Sequence, residues 1–415
     1  MKQGPSRRLC LVAFAAVLCA ACDTPGVTLV DPDVSNPEDQ GTTIHVTLED
    51  SALAEALGWS QGVPNAELQL HRMIEAFQPD HFYTDSTGHV HVPERMPGYH
   101  LVAAFKSITA DEAAAAGAVP RVFADGLKTE FLGNTLQLAL GGDQRGSLVI
   151  SETYSGGRTY GIDYQWAAFW ELYNNSDTTV YLDGMLLGRA FGGSSGAIFT
   201  CEELRQVREH PEGLVAFDFH QFPGTGHEHP VAPGQAVTIA VDAVDHSQAH
   251  PTLPDLTIAD YELEGSGDPD NPDVPNVPPA GLNTDILGHG MQQFEFDTKF
   301  LALPVDPASL TTIPFGRYRW SLVPTDRIID VQHAEYMHPE SPPHPELFYP
   351  CPRWVNREFD RLEAASDKAF DHDNATSLQR RILRYTPDGR AILQDTDVSY
   401  FDFVIAKYSP GSVEY

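Results

Sequence analysis

Histidines are the side chains best suited to metal chemistry in this chain of 415 residues, which contains 17 of them. Imidazole nitrogens and carboxylate oxygens bind Zn²⁺ and Cu²⁺ in proteins. His227 and His229 would share one face of an extended segment, because side chains alternate along a strand. The neighbouring Gly226 and Pro230 favour a loop instead, in which these rings are exposed or pack on turns. The densest group of candidate ligands is His220, His227, His229, Asp245, His246 and His250.

A second group of candidate ligands lies in an acidic, proline-rich segment. Asp268, Asp270 and Asp273 place three carboxylates within six positions, and Ca²⁺ takes about six to eight oxygen ligands. The segment has neither the central Gly nor the closing Glu of an EF-hand loop. The two interpretations are a calcium-binding loop of another kind and a solvated loop.

Sequence signatures of catalysis are weak. The Ser/Gly-rich segment Phe191–Gly196 has no helix-opening pattern behind it, which is poor support for the nucleophile elbow of a hydrolase. A His-Glu-x-x-His zinc motif, a Walker loop and a dinucleotide fingerprint are absent from the sequence. We therefore expect a protein that is not an enzyme and has no obligatory cofactor, with calcium or a transition metal as the candidate ligands.

The charge balance excludes one class of partner. The chain has 26 basic and 58 acidic residues, which gives a net charge of −32. Such a field repels phosphate backbones, so nucleic-acid binding is excluded.

The N-terminus has the organisation of an export signal. Basic residues precede the apolar run Leu9–Ala21, which is too short to span a bilayer. Residues 18–22 (LCAAC) resemble the lipobox of bacterial lipoproteins, with a departure at Cys19, where Leu is commoner. The alternative is an ordinary secretory signal. The resemblance implies cleavage after residue 21, lipidation of Cys22 and a cell-envelope location. It leaves the choice of membrane open, and we expect the outer rather than the inner membrane, with the protein facing the periplasm or the cell surface.

Two further predictions concern the segment after the signal and the remaining cysteines. Residues 22–41 are acidic and proline-rich, which predicts a disordered tether. Cys201 and Cys351 remain in the mature chain, in a compartment that permits disulfides. They form either a bridge or two separate buried thiols.

Short strands separated by Gly/Pro turns begin after the tether. Thr43–Leu48 alternates with period two, as a half-buried strand does. Helix signals occur at Thr109, a candidate N-cap, and at Gly117, a candidate stop. The pattern predicts a β-sandwich over residues 42–145.

Motifs in this region carry a resemblance. The runs VPNAELQL, YTDSTGHVHV and MPGYHLVAAF resemble the prealbumin-like, carboxypeptidase-regulatory type of sandwich. In this chain Tyr99 follows Gly98 directly, which departs from the Pro-Gly-x-Tyr pattern. The resemblance implies a rigid, non-catalytic module.

Residues 146–415 carry a second resemblance. Strand patterns around Glu152, Glu171 and Asp183 are similar to those of the lamin-tail immunoglobulin-like domain, and we interpret the three carboxylates as features of the fold. The run RRILRYTPDGRAILQDTDVSYFDF resembles the closing motif of exported bacterial lipoproteins with the domain of unknown function DUF4876. Departures are Asp397 and Val398. The resemblance implies a mainly β fold of two sandwiches, the second larger and with insertions, and brings no activity.

The expected function is therefore that of a non-enzymatic cell-envelope lipoprotein. It would bind a surface ligand or assist an outer-membrane TonB-dependent uptake receptor, with the membrane reached through its lipid anchor. One alternative is a metal-capturing protein that uses the His- and Asp-rich loops. Another is a surface hydrolase acting on a polymer.

Overall fold

The computed structural model describes most of the chain beyond residue 40. The protein is mainly β, as predicted, with its strands arranged in stacked sheets. The described residues are 41–72, 79–93, 100–129, 135–142, 148–159, 162–190, 210–265, 270–282, 298–315, 318–336, 364–366 and 375–414.

Over the described part of residues 41–142, the first group of elements comprises seven strands and two short helices. They are β1 (Thr42–Leu48), α1 (Ser51–Leu57), β2 (Glu67–Arg72), β3 (Asp80–Tyr83), β4 (His89–Val92), β5 (His100–Ser107), α2 (Ala110–Ala115), β6 (Val122–Thr129) and β7 (Thr135–Leu140).

Two sheets enclose the first core. One has the order β4-β1-β7 and the other the order β3-β2-β5-β6. Strand β1 alternates between buried and half-buried side chains, which confirms its period-two pattern. Its inward residues Ile44 and Val46 pack with Leu68, Val102 and Leu138 from the other strands of the two sheets. Burial of these apolar faces is what favours the pairing of the two sheets.

Both helices of this region have side-chain caps. The Asp50 side chain accepts the Leu53 N–H at 2.9 Å at the start of α1. Thr109 and Glu112 form a reciprocal capping box at the start of α2, which confirms Thr109 as the N-cap. Gly117 follows this helix with a φ of +68°. In the described part of the chain, no helix has the length and apolar character needed to cross a bilayer.

In the described residues beyond 147, the second group of elements comprises twenty strands and one short helix. They are β8 (Leu148–Tyr154), β9 (Gly157–Thr159), β10 (Ile162–Tyr164), β11 (Phe169–Asn174), β12 (Val180–Tyr181), β13 (Leu186–Ala190), β14 (Gly213–Gln221), β15 (Pro230–Val231), β16 (Ala236–Ala240), β17 (Tyr261–Leu263), β18 (Asn276–Val277), β19 (Thr298–Ala302), β20 (Thr311–Phe315), β21 (Tyr318–Pro324), β22 (Ile328–Tyr336), β23 (Ala364–Ser366), β24 (Thr376–Arg380), β25 (Ile382–Tyr385), β26 (Ala391–Leu393), α3 (Ser399–Asp402) and β27 (Phe403–Lys407).

Two seven-stranded sheets form the second sandwich. Their orders are β18-β17-β16-β11-β8-β24-β27 and β20-β21-β14-β13-β19-β22-β23. Between them, Ile150, Trp170 and Leu172 of the first sheet pack with Leu187 and Leu301 of the second. Strands β8 and β11 are buried along their whole length, because the outer face of their sheet is covered as well. The aromatic residues of β11 therefore belong to the packed interior.

A buried arginine connects the two sheets of this sandwich. Arg380 on β24 donates to the Ile150 carbonyl at 2.9 Å and to Asp395 at 3.0 Å. Its Nη2 donates to both oxygens of Asp330 on β22. Asp402 lies 3.7 Å from the same guanidinium. Three carboxylates around one cation compensate for its removal from water.

Helix α3 packs against the outer face of β5 and β6. Phe401 and Val398 contact Leu101 and Ala103, and the Phe401 ring lies 4.8 Å from that of Phe105. The C-terminal segment of the larger sandwich thereby contacts a sheet of the first sandwich directly.

Candidate functional site

One loop is held by a single carboxylate. Asp183 lies in a turn between β12 and β13, and the loop Phe222–Pro230 connects β14 to β15 beside it. Oδ1 of Asp183 accepts the Gly226 N–H at 3.0 Å and the Glu228 N–H at 2.9 Å, while Oδ2 accepts the His229 N–H at 2.9 Å. Pairing of β12 with β15 brings the turn and the loop together.

The same three N–H groups set the charge of Asp183. Burial favours the neutral acid, but hydrogen bonds from Glu228, His229 and Gly226 to the carboxylate outweigh that effect and hold the pKa of Asp183 at about 2. A close approach by the loop is needed for this arrangement. A Cβ atom at Gly224 would lie 2.2 Å from Oδ1 of Asp183, so only glycine fits at that position.

His229 is oriented by a tyrosine. Its Nδ1 lies 2.9 Å from the Tyr261 hydroxyl, and the two rings meet edge to face with centroids 5.7 Å apart. In the tautomer whose Nδ1–H donates to the tyrosine oxygen, Nε2 presents its lone pair outward. Orientation of a histidine by a hydrogen bond to its second nitrogen is the usual arrangement at metal centres.

Glu228 completes the group from the solvent side. Its side chain is exposed, and its carboxylate accepts the Thr225 N–H at 3.2 Å and the Thr225 hydroxyl at 2.9 Å. These local bonds hold the Glu228 carboxylate against its own loop rather than leaving it free in solvent.

Asp183, Glu228 and His229 converge. One ligand atom from each lies within 4.8 Å of the ligand atoms of the other two. A bound ion would draw these atoms closer together, and Glu228 is the one of the three whose side chain is exposed. One imidazole with two carboxylates is a mixed donor set that suits Zn²⁺ or Mn²⁺ better than Ca²⁺, which prefers oxygen alone.

Two of the other predicted ligands lie close to this loop in sequence but outside the group. His220 is fully buried on β14, where its Nε2 lies 3.3 Å from the Glu264 carbonyl and burial lowers its pKa. His227 is exposed, and its ring meets that of Tyr181 edge-on at 4.6 Å.

Three predicted ligands lie in the segment after β16, outside the group. Asp245 caps a short 3₁₀ turn by accepting the Ser247 N–H at 3.1 Å. His246 is buried with its Nε2 2.9 Å from the Asp242 carbonyl, and burial lowers its pKa. Nδ1 of His250 lies 2.8 Å from the Thr252 hydroxyl.

The acidic loop is part of a local hydrogen-bond network. Oδ1 of Asp270 accepts the Asn276 side-chain amide at 2.7 Å. Asp273 is exposed, and its N–H donates to Asn271 Oδ1 at 3.1 Å. The remaining predicted residues, Cys22, Cys201, Cys351 and Asp268, lie outside the described residues.

The sequence pointed to His229 as a ligand but not to its two partners. Glu228 lies between two histidines, and in an extended segment its side chain would point to the face opposite theirs, so the pattern does not indicate it as a ligand. Asp183 was interpreted as a feature of the fold, and its hydrogen bonds to the loop show that role as well. A Leu-Asp-Gly turn before a strand was the available signal.

No family model and no curated protein matches the sequence. Among solved structures, the chain is similar to the crystal structure of a DUF4876 family protein from Bacteroides thetaiotaomicron. The two chains are 16% identical, the alignment covers 88% of this chain and 94% of that chain, and the TM-score is 0.48.

Proposed function

We propose that the protein is a non-enzymatic binding module of the cell envelope that holds a divalent transition metal at Asp183, Glu228 and His229. The observation that carries the proposal is the convergence of these three side chains within 4.8 Å. Among the candidate ligands in the described residues, they combine an anionic carboxylate, an oriented imidazole and an exposed carboxylate.

The donor set favours Zn²⁺ or a similar divalent transition-metal ion over Ca²⁺. Asp183 is ionised across the whole neutral range, because its pKa of about 2 leaves no proton to displace. At sites whose ligands carry a proton near neutral pH, the metal must displace that proton to bind. Three protein ligands leave a position for water or for a donor from another molecule, as in zinc sites that accept an external ligand. Such a site suits capture or presentation of a metal.

The envelope setting rests on sequence motifs. Lipidation at Cys22, a tether over residues 22–41, DUF4876 family membership and assistance to an outer-membrane receptor belong to the same proposal. Their support is the lipobox-like LCAAC run and the closing motif Arg380–Phe403. Replacement of Cys22 by Ser would release the protein from membranes, and continued membrane attachment of Cys22→Ser would contradict the anchor.

Isothermal titration calorimetry of the full chain with Zn²⁺ tests the metal site. We expect one ion per chain, with affinity reduced at least about tenfold in Glu228→Gln and in His229→Gln, since each removes one ligand. His227→Gln is the matched control, because this exposed histidine on the same loop lies outside the group.

Two results would overturn the proposal. One is an unchanged Zn²⁺ affinity in both ligand variants. The other is an equal loss in His227→Gln, which would place the ion on a different set of histidines. Far-ultraviolet circular dichroism of each variant checks that the loop substitutions leave the sheets intact.

A further inference from the structure

Two buried glutamates lie directly opposite each other on neighbouring strands. Glu152 of β8 pairs with Glu171 of β11 in the antiparallel register, next to a β-bulge. Both side chains are about 1% exposed. Like charges at directly opposed positions of a sheet repel each other, so this pair is costly unless a proton or a cation neutralises it.

The residues that cover the pair are Tyr408–Val413, here called the C-terminal strap. The Ser409 N–H donates to Oε1 of Glu152 at 3.0 Å, and the Gly411 N–H donates to Oε2 of Glu171 at 2.7 Å. The strap therefore contacts both carboxylates through its backbone.

A tight turn gives the strap its shape. The Ser412 N–H donates to the Ser409 carbonyl at 3.0 Å, with Pro410 and Gly411 between them. Gly411 has a φ of +82°. Pro followed by a Gly of positive φ is the sequence of a type II turn. The N–H of the third residue has no partner within such a turn, and here it is the group that binds Glu171.

Apolar contacts hold the two ends of the strap. The Tyr408 ring lies 5.1 Å from that of Tyr154. Val413 packs with Val149, Tyr173 and Leu393. The ends of the strap are therefore held by packing, while its centre donates hydrogen bonds to the two glutamates.

The surroundings of the pair favour a bound proton. Burial and the neighbouring Glu152 raise the pKa of Glu171 to about 8, and burial raises that of Glu152 to about 7. Asp260 adds negative charge near Glu171. The other groups that face the pair are uncharged at neutral pH: Ser151, Tyr154, Ser377, Gln379, Tyr408 and Ser409.

We propose that Glu152 and Glu171 form a proton-binding site that controls the C-terminal strap. The strap is closed while the pair holds a proton. When both carboxylates are ionised, two adjacent negative charges lie in a site closed to water, and opening of the strap admits water to them. The direction follows from linkage: the closed state binds the proton more tightly than the open state, so closure weakens as the pH rises towards 8.

Amide hydrogen exchange of the full chain between pH 6 and pH 9 tests this proposal. After correction for base-catalysed exchange, protection of Ser409, Gly411 and Ser412 is expected to fall about fivefold to tenfold per pH unit between pH 6 and 8. Protection of the β8 and β11 amides is expected to stay high, which separates strap opening from unfolding.

Substitution of one glutamate identifies the group responsible. Glu171→Gln keeps an oxygen for the Gly411 N–H and can turn its amide to the Ser151 hydroxyl, which rotates to accept it. Strap protection in this variant is expected to depend less steeply on pH, because the pair of like charges is gone and only Glu152, whose own pKa is raised by burial, remains to titrate. Glu414→Gln is the control, since this exposed glutamate follows the strap and accepts the Ser412 hydroxyl, and its substitution should leave the profile unchanged.

Strap protection that is constant from pH 6 to 9 in the unsubstituted chain would overturn the proposal, whether or not Glu171→Gln folds. The same pH-dependent loss in Glu171→Gln would also overturn it. Neither result bears on the metal site, which lies on a different loop and is tested by Zn²⁺ binding.

Discussion

Nη2 of Arg380 donates to both carboxylate oxygens of Asp330, at 2.8 and 2.7 Å, in the closed interior of the second sandwich. Both side chains are almost completely buried. The pair links β24 of one sheet to β22 of the other, so it is a contact between the two layers rather than within one.

Arg380→Ala should therefore be strongly destabilising. It leaves Asp330, Asp395 and Asp402 buried without their cation, and breaking a buried ion pair costs about 3–5 kcal/mol. Urea unfolding measures the free energy of unfolding. Arg327→Ala is the matched control, because Arg327 pairs with Asp326 on the surface, where such pairs contribute about 1 kcal/mol or less. Equal effects of the two substitutions would show that the interior pair is dispensable.

Loss of the Asp183 charge should loosen the loop Phe222–Pro230. In Asp183→Asn, the oxygen can keep the Gly226 and Glu228 N–H groups, but the amide then faces the His229 N–H and leaves it without an acceptor. We expect at least tenfold faster hydrogen exchange of the His229 amide and a free energy of loop opening that is lower by about 1–3 kcal/mol. Asp245→Asn alters only a local turn cap, so it should change neither the exchange rate of the His229 amide nor the free energy of loop opening.

Tyr261→Phe should weaken metal binding without removing a ligand. The substitution deletes the hydroxyl that fixes the His229 ring, and loss of such an outer contact commonly lowers metal affinity by about 10–100-fold. Zn²⁺ titration measures the change. An affinity equal to that of the unsubstituted chain would mean that His229 is oriented by the loop alone.

Glu171→Gln should change how stability depends on pH. Because the pKa of Glu171 is raised from its ordinary value to about 8, the folded state holds a proton that the unfolded chain releases above about pH 4.5. The stability of the unsubstituted chain is therefore lost progressively as pH rises from about 4.5 to 8. Relative to it, Glu171→Gln should gain at least about 2 kcal/mol between pH 5 and pH 8. Parallel pH profiles of the free energy of unfolding would contradict this.

Local sequence patterns predicted local structure well. The alternation of Thr43–Leu48 corresponds to β1, and Thr109 caps α2 as its spacing with Glu112 allows. These features depend on neighbours within a few positions, where backbone geometry and side-chain spacing are fixed by the element itself.

The candidate site could be predicted only in part, because its partners are distant in sequence. Asp183 and His229 are separated by 46 positions and meet because Val180 pairs with Val231 and Tyr181 with Pro230. Two-residue strands such as β12 and β15 carry too little periodicity to reveal this pairing. The contact of the strap with the glutamates is equally hidden from local patterns, since Gly411 and Glu171 are 240 positions apart.

The position of β24 in its sheet has a consequence for the order in which the chain can fold. This strand lies between β8 and β27, and Arg380 binds the carbonyl of Ile150, 230 positions earlier in the chain. Its sheet therefore lacks that neighbour of β8 until nearly the whole polypeptide has been synthesised. Contacts of such long range slow folding. A chain that stays incompletely folded until its last strands arrive is one that can still be threaded through a narrow pore.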